Sequence, residues 1–199
     1  MIFVSAEHGL VLSTSKGTDF NYFGSIITGN DTLGKNKTLL CSHSDGTILM
    51  HTTLGDLLRR LELDNNTSIG IGINSINLLL MSRDCIILVL YGNDNLITHT
   101  TSGKQLNYMK APEKLLCGVL SRDGEYVIVG SEEGRVLVLR LFPLQLLYTF
   151  QQTDSSIRSI AITSNQRYVL AGLDSGAVIV FNIDFNKWHY EYRHRYTLH

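Results

Sequence analysis

Short runs of β-branched and aliphatic residues alternate along this chain with polar turns rich in Asp, Asn, Ser and Gly. Runs of four to six residues, such as Val136-Leu137-Val138-Leu139 and Ile86-Ile87-Leu88-Val89-Leu90-Tyr91, are too short for helices and carry strand formers, so they predict β-strands. The pattern repeats. Leu120-Ser121-Arg122-Asp123-Gly124-Glu125-Tyr126-Val127-Ile128-Val129-Gly130 returns 42 residues later as Ile162-Thr163-Ser164-Asn165-Gln166-Arg167-Tyr168-Val169-Leu170-Ala171-Gly172. Each copy runs on into a second turn, Ser131-Glu132-Glu133-Gly134 or Leu173-Asp174-Ser175-Gly176, and a further strand, Val136 to Leu139 or Val178 to Phe181. A period near 40 residues with four short strands in each copy predicts antiparallel sheets of the β-propeller blade type.

Weaker copies extend the pattern towards the N-terminus. Leu80-Met81-Ser82-Arg83-Asp84 matches the first turn at an offset of 39, though glycine is missing from both of its turns. Thr52-Thr53-Leu54-Gly55-Asp56-Leu57-Leu58 is echoed by Thr100-Thr101-Ser102-Gly103-Lys104-Gln105-Leu106, where a blade turns into its outermost strand. Leu57, Leu58 and Leu61 would also suit one face of a helix; the echoed phrase decides for a strand. The chain is therefore expected to be all-β, an incomplete propeller of about three to four blades over residues 1–199. An incomplete set of blades should expose apolar sheet faces, so the isolated chain is expected to fold marginally or self-associate.

One stretch breaks the period. Leu10 to Lys16 resembles the second strand of a blade and Asp45 to His51 its following turn and third strand, leaving residues 17–44 as a loop or insertion that interrupts the first blade, or as sequence foreign to the folding unit. It is expected to pack poorly and to move. It also holds Gly29-Asn30-Asp31-Thr32-Leu33-Gly34-Lys35-Asn36, which has the glycines and lysine of a phosphate-binding loop. Asn36 stands where that chemistry needs a hydroxyl for magnesium, and no committed helix follows to direct its N-terminus at the phosphates. Nucleotide binding at Gly29 to Lys35 is thus the weaker alternative function, and no cofactor is expected.

Composition narrows the classes further. Net charge is −1, with 17 basic and 18 acidic residues, which removes the electrostatic case for nucleic acid. Cys41, Cys85 and Cys117 lie in or beside apolar runs without zinc or disulfide spacing, and are read as reduced, buried thiols. His189, His194 and His199 recur at intervals of five beside Arg193 and Arg195. That interval shares no helix or strand face and the arginines repel cations, so no metal site is expected and 193–199 reads as a flexible tail. The start, from Met1 to Glu7, carries no basic and apolar signal pattern, and no run approaches a membrane span. A small-molecule substrate has no constellation to act on it: there is no nucleophile elbow and no pair of carboxylates assignable to one pocket.

The tail carries a resemblance. Ala171-Gly172-Leu173-Asp174-Ser175-Gly176-Ala177-Val178-Ile179-Val180-Phe181-Asn182-Ile183-Asp184-Phe185-Asn186-Lys187-Trp188-His189-Tyr190-Glu191-Tyr192, together with Gly55-Asp56-Leu57-Leu58-Arg59 and Ile157-Arg158-Ser159, resembles the C-terminal WD40 region of BEACH-domain proteins of the neurobeachin type. The resemblance implies a non-enzymatic, cytoplasmic scaffold in vesicle and membrane trafficking, peripheral to intracellular membranes through its parent protein. Its implied partners are other proteins, including the PH-like and BEACH domains of the same chain. The alternative is a truncated fragment with no function of its own. The Trp-Asp pair of regular repeats is replaced here by His51-Thr52, His99-Thr100, Leu139-Arg140 and Phe181-Asn182, and the one tryptophan, Trp188, falls in the outer-strand region of the last blade. The usual Asp-His-Ser/Thr-Trp network is therefore not expected, and Val, Ile and Leu packing must hold the sheets together. On the WD40 pattern, partners read the turns between second and third strands and the start of the inner strand, which selects Arg158, Glu132, Glu133 and Asp174 as candidate protein-binding residues.

Overall fold

The computed structural model describes residues 2–6, 9–13, 25–27, 38–42, 48–52, 56–61, 76–82, 84–92 and 94–187. The expected tail at 193–199, Trp188, the three C-terminal histidines and the stretch Gly29 to Lys35 lie outside them. The chain divides into two compact units, Met1–Lys110 and Ala111–His199.

In the first unit β1 (Ile2–Ala6) and β2 (Gly9–Ser13) form, among the described residues, a two-stranded sheet of their own. A four-stranded meander follows, β3 (Ser25–Ile27), β4 (Thr38–Ser42), β5 (Ile48–Thr52) and β6 (Leu57–Leu61), and then a second, β7 (Ile76–Met81), β8 (Ile86–Tyr91), β9 (Asn95–Thr100) and β10 (Gln105–Lys110). Leu40, Ile48 and Leu61 of the former pack with Ile76, Leu79, Ile87, Val89 and Ile97 of the latter. The second unit contains the sheet β11 (Leu115–Leu120), β12 (Tyr126–Ser131), β13 (Val136–Arg140) and β14 (Gln145–Thr149), and, among the described residues, the three strands β15 (Ile157–Ile162), β16 (Tyr168–Leu173) and β17 (Val178–Asn182). All pairings are antiparallel between sequence neighbours. The fold is all-β and propeller-like, and within each unit two meander sheets pack face to face. Central strands β8 and β12 are buried on both faces, which is why their sequences are unbroken apolar runs rather than alternating ones.

Two segments within 17–44 are strands in the structure. Thr38–Ser42 is the second strand of the first four-stranded sheet, paired to Ile48–Thr52, and Ser25–Ile27 is its first strand. Leu40 is fully buried in the core of that unit. The pattern assigns the phrase from Leu10 to Lys16 to this position, but among the described residues Gly9–Ser13 pairs with Ile2–Ala6. The sequence pattern marks a strand at the Leu10 phrase and none at Thr38–Ser42; which segment ladders onto β5 depends on non-local contacts. Thr38 onward being strand also removes the helix that a phosphate-binding loop requires after its lysine.

The repeated turn has one backbone solution. Cys85, Gly124 and Gln166, each three residues after Ser82, Ser121 and Thr163, all sit at positive φ, 61°, 78° and 60°, and each N–H donates to the carbonyl of that Ser or Thr at 3.1, 3.0 and 2.8 Å. In each hairpin loop that left-handed place, third after the Ser or Thr, is suited to glycine, and the loop closes on Ile86 in the first copy but one residue later, on Tyr126 and Tyr168, in the other two. The Ser or Thr hydroxyl closes it from within: the N–H groups of Ile86, Tyr126 and Tyr168 donate to Ser82, Ser121 and Thr163 Oγ at 3.2, 3.0 and 3.1 Å. Local turn chemistry thus takes the place of the absent tryptophan network. Cys85, expected to be buried, is exposed, because it occupies this turn and not the strand that follows. A residue with a side chain is strained at such a φ, so Cys85→Gly should raise the thermal midpoint by about 1–3 °C; a lower midpoint in calorimetry would mean that side-chain contacts of Cys85 outweigh the backbone strain. Cys117 is half-buried, and burial pushes its thiol up to about 11 against a weaker opposing hydrogen bond from the Gly130 backbone, which keeps it protonated at neutral pH.

Candidate functional site

The second unit gathers its polar residues at the end of the sheets where β12 turns into β13 and β16 into β17. In the first of these turns Gly134 has φ 80°, and its N–H donates to Ser131 O at 3.3 Å. A Cβ there would lie 2.6 Å from Ser155 O, so the turn and the strand connection from β14 to β15 are built to touch. They are bonded as well: Thr153 N–H donates to Gly134 O at 2.8 Å, Ser156 Oγ donates to Glu132 O at 2.7 Å, and Gln152 Nε2 donates to Glu133 O at 2.8 Å.

The repeat governs this end of the sheets. Glu132 N–H donates to Lys114 O, and Asp174 N–H donates to Ser156 O, both at 2.9 Å; donor and acceptor are each displaced by one period of 42 residues. Side chains then diverge. Lys114 Nζ lies 3.1 Å from Glu132 Oε1, while Arg158 Nε donates to Asp174 Oδ1 at 2.8 Å. The Asp174 hydrogen bond, the Asp174 charge and, more weakly, the Glu132 charge raise the Arg158 pKa, which places these three candidates in one electrostatic neighbourhood. Arg135 is clamped between Glu113 Oε2 and Gln152 Oε1, at 3.0 Å from each. Glu133 is exposed in the same turn and makes no ion pair among the described residues.

All four candidate residues, Arg158, Glu132, Glu133 and Asp174, therefore occupy exposed positions in the second unit, the three acids on turns braced by backbone hydrogen bonds and Arg158 at the bulge of β15. Lys114, Arg135 and Gln152 were not selected from the sequence. Lys114 could have been found, since it stands one period before Ser156 and directly ahead of an inner strand. Arrays of exposed ion pairs on rigid turns can present charge to a partner but offer no nucleophile, and among the described residues no group of three His, Cys, Asp or Glu converges to hold a metal ion.

No protein-family model matches the chain. A neurobeachin homolog assigned in Caenorhabditis briggsae is 40% identical over 193 residues, 97% of this chain, and its counterpart in Caenorhabditis elegans is 40% identical over the same extent. The chain belongs with the neurobeachin-type BEACH proteins. It spans about 6% of the length of those two relatives. BEACH domain-containing protein B of Arabidopsis thaliana is 26% identical over 149 residues, 73% of this chain and 5% of that protein. Among solved structures, the computationally designed Ika4 protein superposes with a TM-score of 0.57 at 21% identity, covering 74% of this chain and 86% of the design; that likeness concerns fold alone. For a neurobeachin-type segment, the match over nearly the whole chain includes the stretch 17–44 that the repeat pattern had set aside, in keeping with the strands found there.

Proposed function

We propose that this chain supplies blades to a non-enzymatic, WD-repeat-type propeller in the C-terminal part of a neurobeachin-type BEACH protein. There it binds other proteins, and the PH-like and BEACH domains of its own chain, in cytoplasmic membrane trafficking. The observation that carries the reading is the pair of equivalent turns in which Glu132 and Asp174 are held by the same backbone bond while their carboxylates face different cations, Lys114 and Arg158. A surface that repeats its backbone and varies its charge suits recognition of a partner by complementary charge. Arg158, Glu132, Glu133 and Asp174 are the proposed contact residues.

The test is charge reversal in the full-length protein. Arg158→Asp should deplete, by about tenfold, a subset of neighbours recovered by proximity labelling in cells, as expected when an arginine anchor is lost. The exchanged pair, Arg158→Asp with Asp174→Arg, should stay deficient, because it restores the internal ion pair while leaving the wrong charge at each position. An unchanged set of neighbours in both variants would overturn the reading. So would saturable micromolar binding of ATP with magnesium that is lost in Lys35→Ala.

A further inference from the structure

At the end of the second unit's sheets opposite the charged turns, the repeat again keeps its backbone, and here the second copy discards the acids of the first. In the β11–β12 loop Asp123 Oδ1 accepts from Ser121 Oγ and, at 3.0 Å, from Glu125 N–H. In the β15–β16 loop Asn165 Oδ1 accepts from Thr163 Oγ1 at 2.6 Å and from Arg167 N–H at 3.1 Å. Glu125 O accepts from Leu141 N–H, and Arg167 O from Ile183 N–H, both at 2.8 Å. One period separates the members of each pair, so the loop folds alike with Asp or Asn and with Glu or Arg. Glu125 Oε2 has a cation of its own, Arg140 Nη2 at 3.9 Å. One period later the place of Arg140 passes to Asn182 and not to an acid, so the repeat supplies Arg167 with no counter-charge.

A second arginine is tied to this loop. Gln166 sits at φ 60°, a strained place for a residue with a side chain, and its amide spans two loops. Oε1 accepts Arg122 N–H at 2.7 Å, and Nε2 donates to Thr163 O at 3.1 Å. Arg122 of one sheet and Arg167 of the next are thereby carried on loops fixed to each other by the residue that precedes Arg167. Both are exposed, and neither makes an ion pair among the described residues. Phe142, 53% exposed, lies at the same end, in the β13–β14 turn that Leu141 N–H bonds to Glu125. Asp123 and Asp184 are exposed there as well, so the two cations stand among acids and not in a uniformly basic field.

We propose that Arg122 and Arg167 form a binding site for a phosphorylated side chain in an extended segment of a partner protein, with Phe142 taking up an apolar residue of that segment. Two guanidinium groups on braced loops match a phosphate that carries roughly two negative charges, and each offers it a fork of N–H donors. A bilayer is the poorer occupant. An extended anionic surface would meet Asp123 and Asp184 at once, whereas a single phosphate can sit at the arginines and away from the acids. The site lies at the other end of the sheets from Glu132 and Asp174, so failure of the binding surface proposed there leaves it intact.

The experiment presents the immobilised full-length protein with a degenerate peptide library carrying one fixed phosphoserine, and with the same library unphosphorylated. Phosphopeptides should be retained about tenfold better, and Arg122→Gln with Arg167→Gln should remove the difference. Arg167→Glu is the variant that spares the fold, because Glu125 already occupies that place in the preceding copy. It should leave the thermal melting of the full-length protein unchanged and lower phosphopeptide retention about tenfold. Equal retention of the two libraries would overturn the proposal, as would phosphopeptide retention that survives both variants. Vesicles of phosphatidylcholine with phosphatidylserine form the last arm: co-sedimentation that Arg167→Glu abolishes, without phosphopeptide retention, would overturn it by giving the site to a membrane.

Discussion

Gly130→Val should cost the second unit more than about 4 kcal/mol in denaturant unfolding, and Gly130→Ala about 2–3 kcal/mol. Gly130 lies mid-sheet on β12, paired with Cys117, and its backbone is not in the left-handed region, so alanine would suffer no conformational strain there. The penalty is purely steric. A Cβ at this position would stand 2.7 Å from Ile157 Cβ and 2.9 Å from Cys117 Sγ, and closer still to Ile157 Cγ2. Ile157 is fully buried as the first residue of β15, and it cannot withdraw without moving the strand that lies across β11 and β12. The control is a double-mutant cycle with Ile157→Ala. That change alone opens a cavity and costs about 2–5 kcal/mol, but combined with Gly130→Ala it should cost less than the sum, since the added methyl occupies part of the vacated space. Additive losses, or a Gly130→Ala variant as stable as the parent, would show that the two sheets are not held at the spacing described.

Tyr126→Ala should cost about 3–5 kcal/mol in the 199-residue chain, while Tyr168→Ala should cost less than about 1 kcal/mol. The two tyrosines occupy the same place in successive repeats, each at the start of a second strand. Tyr126 is buried against the next sheet, with its ring 5.1 Å from that of Phe185 at a tilt of 31°. Phe185 belongs to the helical turn at 185–187 that follows β17, so truncating Tyr126 removes a support for the end of the chain as well as core volume. Tyr168 has solvent where Tyr126 has a neighbouring sheet. Equal losses from the two changes would contradict the assignment of one covered and one open face.

The strands were legible because their signal is local. Val136 to Leu139 and Val178 to Phe181 were read as strands and are strands, and the ambiguity at Leu57 to Leu61 was settled correctly by its echo at Thr100 to Leu106, since Leu57–Leu61 is β6. The left-handed turn position was only partly legible: Gly124 announced it, whereas Cys85 and Gln166 reach the same φ without glycine, held by neighbouring hydrogen bonds that composition does not reveal. At the charged end of the second unit, the sequence pattern located exposed turns carrying Glu132, Glu133 and Asp174. It did not reveal that Arg158 would meet Asp174, or that Lys114 and Ser156 would brace the two turns in the same way, because those bonds join residues 16 to 24 positions apart across separate strands.

By itself, then, the sequence determined the all-β class, the 42-residue period, the turn sites and the relationship to neurobeachin-type proteins. These follow from side-chain periodicity and turn chemistry, which act over a few residues, and from identity along the chain. Only the tertiary structure decided that β4 rather than β2 joins β5, that Gly130 must be small because Ile157 rests on it, and that of two near-identical faces one is covered and the other open. Strand pairing and sheet stacking are set by which distant surfaces exclude water from each other, and two copies of the same local sequence cannot differ in that until a neighbour is present beside one of them.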